Sequence, residues 1–130
     1  MHIVIGGAVN GKRKFVREMM PAEARWFGED KPLDLRQLSE LSAEQPAVVC
    51  SVEQWMATRL DDEENAIHEF LNALSGKRVT LIITDIGRGI VPMDAEERAL
   101  RDACGRLNQH LMEVAREVTR VWYGIPQKLK

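Results

Sequence analysis

Gly6, Gly11 and Lys12 occupy three of the four fixed positions of a phosphate-binding loop, G-x-x-x-x-G-K-[ST]. The chemistry served by that spacing is specific. Glycines let the backbone turn its N–H groups inward around an anion, and the helix that follows adds its positive N-terminal end. The lysine then reaches over the loop to the β- and γ-phosphates of a nucleotide. The fourth position departs from the pattern, since Arg13 stands where a Ser or Thr hydroxyl would hold Mg²⁺. The candidate nucleotide contacts are therefore Gly6, Gly7, Ala8, Val9, Asn10, Gly11, Lys12 and Arg13, with Lys12 also a candidate catalytic group. The plainer alternative is a strand-to-helix turn that merely uses glycine. For Arg13 it is a basic residue in the first helical turn, facing solvent.

A second candidate is Asp85, which follows the strongest strand pattern in the chain, Arg78 to Thr84. After its arginine that stretch is almost continuously apolar and β-branched, and it opens into the glycine-punctuated loop Asp85 to Pro92. Asp85 suits a base or an outer-sphere metal partner, and equally a carboxylate that caps its own loop. Glu53 is a weaker substitute acid, read first as a helix-start residue.

These residues need a scaffold, and the patterning supplies one. His2 to Ile5 reads as a short buried strand, and Phe15, Val16, Met19 and Met20 recur at helical spacing after the loop. Pro21 interrupts that helix and opens a second helical piece over Ala22 to Phe27, followed by a turn from Gly28 to Pro32. Leu33, Leu35, Leu38 and Leu41 form a short amphipathic segment. Ala47 to Val52 reads as a strand buried on both faces. Glu53 begins a helix carrying Trp55, Met56 and Leu60, and the acidic run Asp61 to Glu64 starts another with Ile67, Phe70, Leu71 and Leu74 on one face. Ser75-Gly76-Lys77 ends it. A long helix is expected from Ala95 to Glu117, then a strand from Val118 to Tyr123, a turn at Gly124 to Pro126 and an edge strand from Gln127 to Leu129. Strands alternating with helices imply a parallel α/β sheet in three layers. In such sheets ligands sit at the carboxyl ends of the strands, where the glycine loop, the end of Ala47–Val52 and the Asp85 loop should meet.

The 130 residues suit one domain, 1–130, with a real core. A formal charge of −2 gives no electrostatic argument for nucleic acid or an anionic membrane, and no apolar run approaches the roughly 20 residues of a membrane span. Cys50 and Cys104 lie far apart without a Cys-x-x-Cys pattern, as expected of free, partly buried thiols in a reducing compartment. With no leader pattern, the expected location is cytoplasmic.

The ordered set of motifs is more specific than any one of them. Gly6-Gly7-Ala8-x-x-Gly11-Lys12, Thr84-Asp85-Ile86-Gly87-x-Gly89-Ile90-Val91-Pro92 and Arg101-Asp102-x-x-Gly105-x-x-Asn108-Gln109 together resemble the bifunctional adenosylcobinamide kinase/adenosylcobinamide-phosphate guanylyltransferase family. Val48 to Leu60, with Trp55, and the ending Gly124-Ile125-x-x-Lys128-Leu129-Lys130 are similar to it too. The resemblance implies a P-loop NTPase-like fold, GTP or ATP as nucleotide, a corrinoid acceptor and an oligomer. It also implies phosphorylation of a corrinoid hydroxyl, then GMP transfer through a guanylylated histidine.

Departures from the family are as informative. The loop hydroxyl is Arg13, the acid at the end of the second-motif strand is Cys50, and the family's loop glutamate is Asp85. Arg13 to Pro46, where the family carries its histidine, contain none, and His2, His68 and His110 do not match it. Both protein anchors for Mg²⁺ are thus replaced, so metal is doubtful and no metal ligand is assigned. Arg13 is expected to neutralise phosphate charge in its place. Three readings follow: a divergent transferase that binds GTP or ATP, a catalytically impaired nucleotide- or corrinoid-binding sensor or partner subunit, and a scaffold. For Trp26-Phe27 and Trp122-Tyr123 core packing is expected ahead of an intersubunit contact.

Overall fold

The structure is a computed structural model describing residues 1–7, 11–85 and 94–130; Ala8, Val9 and Asn10 of the glycine loop and the Ile86–Pro92 stretch lie outside the described residues. The elements of the described residues are, in order, β1 (His2–Gly6), α1 (Lys12–Met19), β2 (Arg25–Phe27), α2 (Leu35–Ser39), β3 (Ala47–Val49), α3 (Val52–Ala57), a 3₁₀ turn (Leu60–Asp62), α4 (Glu63–Leu74), β4 (Val79–Thr84), α5 (Ala95–Val114), β5 (Glu117–Trp122) and β6 (Ile125–Lys128). The strands form one six-stranded sheet in the order β2-β3-β4-β1-β5-β6. Every pairing is parallel except β5 with β6. The expected α/β architecture with a mainly parallel sheet is thus the observed one.

Alternation along the strands divides the core into two layers. Ile3, Val49, Leu81 and Val118 face a large cluster with Leu38, Met56, Phe70, Leu107 and Leu111 from α2–α5. Val4, Val48, Ile82 and Val121 face the other way, onto Val16 of α1. The strands between are buried on both faces, which is why they read as continuous apolar runs. Among the described residues no helix is long and apolar enough to cross a membrane.

Several expectations are corrected. Ala22 to Phe27 is not helical: Ala24 closes a turn on Pro21, and Arg25–Phe27 pair in register with Ala47–Val49 as an edge strand. Pairing overrides a pattern too short for periodicity to decide, and Trp and Phe favour strands. The strand expected over Ala47 to Val52 ends at Val49, because Ser51 takes a left-handed conformation (φ 60°) and α3 begins at Val52. The long helix ends at Val114 rather than Glu117, since Arg116 and Glu117 donate to the Met1 carbonyl and carry the chain into β5. The final turn is Tyr123-Gly124, both at positive φ, the geometry of a two-residue type I′ hairpin, so Ile125 and Pro126 belong to β6. Both cysteines are free and fully buried rather than partly so.

Candidate functional site

The connections leaving β1 and β4 run to opposite sides of the sheet, and their paired ends, Gly6 beside Thr84, open the crevice where such sheets take ligands. A cavity of about 360 Å³ lies there, lined among others by Gly11, Lys12, Arg13, Cys50, Glu53 and Thr84. Gly11, at φ 82°, turns the chain into α1, which no side chain caps among the described residues. The first-turn N–H groups of that helix are left for the loop or a ligand to satisfy.

Lys12 is only 6% exposed and its Nζ donates to the carbonyls of Gly6, at 3.1 Å, and Gly7. The ammonium is thus held within the loop's own fold. Burial lowers its proton affinity, Glu53 opposes that effect, and Arg13 adds to it. Arg13 is half-exposed, with its guanidinium 3.7 Å from the Glu29 carboxylate, which Arg17 also binds. It therefore lines the cavity as an anchored cation, neither buried against the loop nor free in solvent.

Glu53 has more weight here than its sequence position suggested. Its Oε1 accepts the backbone N–H of Thr84 at 2.6 Å, tying α3 to the end of β4. Burial raises its proton affinity, against the pull of that N–H, Lys12 and Arg13. The sequence signal was an acid three residues beyond Cys50, on the first turn of the helix leaving the same strand. Ser51 was not legible: a left-handed non-glycine residue, it donates from Oγ to the Gly28 carbonyl at 2.7 Å and fixes the bend between Cys50 and Glu53. Such a conformation costs about 1 kcal/mol or more and persists where the surroundings hold it.

Asp85 follows β4 directly, and its backbone N–H donates to the Gly6 carbonyl at 2.9 Å. It is therefore beside the start of the glycine loop, while the rest of its own loop lies outside the described residues. Cys50 lines the cavity, and burial pushes its thiol up to about 11, so it is neutral near pH 7. A neutral thiol and a guanidinium do not fit the two protein anchors of a magnesium ion. Among the described residues no group of three or more His, Cys, Asp or Glu side chains converges to hold a metal.

The histidines lie elsewhere. His2 bonds Thr119 at the opposite end of β1 from the loop, and His68 and His110 are on exposed helix faces. A second cavity, about 400 Å³, adjoins the first through Ser51 and Gln54 and is walled by Pro32, Leu33 and Trp55. Trp122 and Tyr123, expected in the core, are 56% and 77% exposed.

Comparison with known proteins gives a consistent result. A family model described as cobinamide kinase / cobinamide phosphate guanyltransferase matches residues 20–129. The bifunctional adenosylcobalamin biosynthesis protein CobP of Pseudomonas aeruginosa is 30% identical over 128 residues, covering 91% of this chain and 73% of that protein. The bifunctional adenosylcobalamin biosynthesis proteins CobU of Salmonella typhimurium and Escherichia coli are 38% and 43% identical over 82 and 53 residues. Those matches cover 60% and 41% of this chain but only 45% and 29% of the relatives. With its P-loop NTPase-like sheet and these relatives, the chain belongs to the cobinamide kinase/cobinamide phosphate guanyltransferase family of cobalamin biosynthesis.

Proposed function

We propose that the chain binds a purine nucleoside triphosphate, GTP or ATP, at the loop from Gly6 to Arg13. In this reading its retained chemistry is phosphoryl transfer to a corrinoid hydroxyl, not guanylylation through histidine. The observation that carries the reading is Lys12, buried with its Nζ on the Gly6 and Gly7 carbonyls beside the cavity. A buried ammonium set within a glycine turn at the start of a helix suits an anion with several oxygens.

Lys12 and Arg13 neutralise the triphosphate, and the first turn of α1 donates to it. The acceptor oxygen attacks the γ-phosphorus, the bond to the β–γ bridging oxygen breaks, and the nucleoside diphosphate leaves. The acceptor proton passes to a carboxylate at the ends of β3 and β4. Asp85 is the group expected from the motif; Glu53 lines the cavity, and its raised proton affinity suits a base. The adjoining cavity, about 400 Å³, can take a side arm of the acceptor. Arg13 and Cys50 do not fit a protein-bound magnesium ion, so Lys12 and Arg13 supply the positive charge at the phosphates. The guanylyl half is set aside because Arg13 to Pro46 hold no histidine.

Incubation with GTP labelled at the α- or the γ-phosphate tests the reading. The expected result is slow transfer of γ-label to a corrinoid alcohol, with no label left on the denatured protein. Covalent α-label on the protein would overturn the assignment, as would the absence of any transfer from either GTP or ATP.

A further inference from the structure

We propose that Trp122 and Tyr123, at the tip of the β5–β6 hairpin, form the stacking platform for the purine base of the nucleotide held by the glycine loop. The proposal rests on the phosphate-loop reading above and adds the nucleoside subsite that reading leaves open.

Three observations carry it. The first is contact between hairpin and loop. A Cβ on Gly6 would lie 2.5 Å from the Val121 carbonyl oxygen, and a Cβ on Gly11 would lie 3.2 Å from the Cα of Gly124. The two fixed glycines of the loop thus touch the hairpin on either side of Trp122-Tyr123, and a side chain at either glycine would push them apart.

The second is the state of the aromatic pair. The rings lie 5.8 Å apart at an interplanar angle of 27°, so they are stacked, and both are more than half exposed. The Arg120 guanidinium lies over Trp122, 5.4 Å from the ring centroid, which helps to fix that ring. Tyr123 takes φ 51° in a hairpin turn closed by the pairing of Trp122 with Ile125, so the pair sits on hydrogen-bonded β5–β6 backbone. Large aromatics left in water by a packed sheet end point to something that covers them.

The third is direction. The carboxylates that would receive the acceptor proton, Glu53 at the start of α3 and bonded to Thr84 of β4, and Asp85 just past β4, lie on one side of β1. The γ-phosphate must face them. The nucleoside end of the same molecule then points to the other side of β1, where β5 is its direct neighbour. Stacking is tolerant of base identity, because every base has a π-face. The platform therefore selects a purine nucleotide over bare polyphosphate without choosing guanine or adenine.

The test compares GTP, ATP and inorganic tripolyphosphate on the native chain and on Trp122→Ala, Tyr123→Ala and Trp122→Phe. Both side chains are exposed, so the variants are expected to fold; circular dichroism and thermal melts check this. The expected result is that each alanine variant loses about tenfold in affinity for GTP and ATP, while tripolyphosphate binding stays unchanged. Nucleotide should quench the native tryptophan emission, and Trp122→Phe should abolish most of that quenching although Trp26 and Trp55 remain. Native chain that binds GTP no tighter than tripolyphosphate would overturn the platform and leave the phosphate cradle standing. Alanine variants with unchanged nucleotide affinity but a smaller mass in sedimentation would overturn it too, and reassign the pair to a contact between copies. If none of the three probes binds, the phosphate-loop reading itself falls and the platform with it.

Discussion

Two charged side chains in the cavity divide the work between them. Lys12 bonds the Gly6 and Gly7 carbonyls, so Lys12→Met should remove the loop's cation and also the donor that those two carbonyls share. We expect nucleotide affinity to fall by about tenfold or more, measured by titration calorimetry, with a loss of about 1–3 kcal/mol in stability from the lost carbonyl bonds. Glu53 carries the opposite charge and a cost of burial. Its proton affinity in the folded chain is above the ordinary value of 4.5, so the folded state keeps a proton that the unfolded state gives up. Its contribution is most favourable below that ordinary value and is lost as pH rises through the raised one. Glu53→Gln keeps an acceptor for the Thr84 N–H and removes that loss. It should therefore be more stable than the native chain in urea at about pH 7 and show no gain near about pH 3.5, while phosphoryl transfer should slow if Glu53 is the base.

At the scale of elements, the two faces of the sheet are unequal. One receives α2–α5 around Phe70, and the other receives α1 through Val16. Phe70 is fully buried against the Trp55 ring, with centroids 5.2 Å apart. Phe70→Ala should cost about 3–5 kcal/mol in chemical denaturation. A loss below about 1 kcal/mol would contradict the packing described. Much of this layer was legible in sequence, because Ile67, Phe70 and Leu74 repeat at helical spacing and β4 is an unbroken β-branched run. What was not legible depended on partners distant in the chain. Arg25–Phe27 become a strand only by pairing with Ala47–Val49, and beyond α5 the amides of Arg116 and Glu117 turn to the Met1 carbonyl. The site divides the same way. Gly6, Gly11 and Lys12 are visible as spacing, whereas the αL bend at Ser51 that brings Glu53 to Thr84 is a tertiary fact.

For the molecule as a whole, family membership and the altered residues point in different directions. The chain belongs to the cobinamide kinase/cobinamide phosphate guanyltransferase family, yet Arg13 and Cys50, a guanidinium and a neutral thiol, stand where the resemblance places the two protein anchors of magnesium. Cys50 and Cys104 are buried on opposite sides of the sheet, and burial pushes their thiols up to about 11 and about 12. Neither is a ready nucleophile, so both should react with iodoacetamide at about pH 8 only when the whole fold opens. Labelling rates that follow global stability across a urea series would bear this out; fast labelling of Cys50 in the native chain would show a local opening at the site. The account's central claim is that the loop still binds a nucleotide although the protein's holders of the metal have been replaced. Titration of GTP and ATP into the native chain, once with Mg²⁺ and once with EDTA, tests it directly. We predict binding in both buffers, with affinities within about tenfold of each other. Binding that vanishes in EDTA, or that is absent from both buffers, would contradict the account.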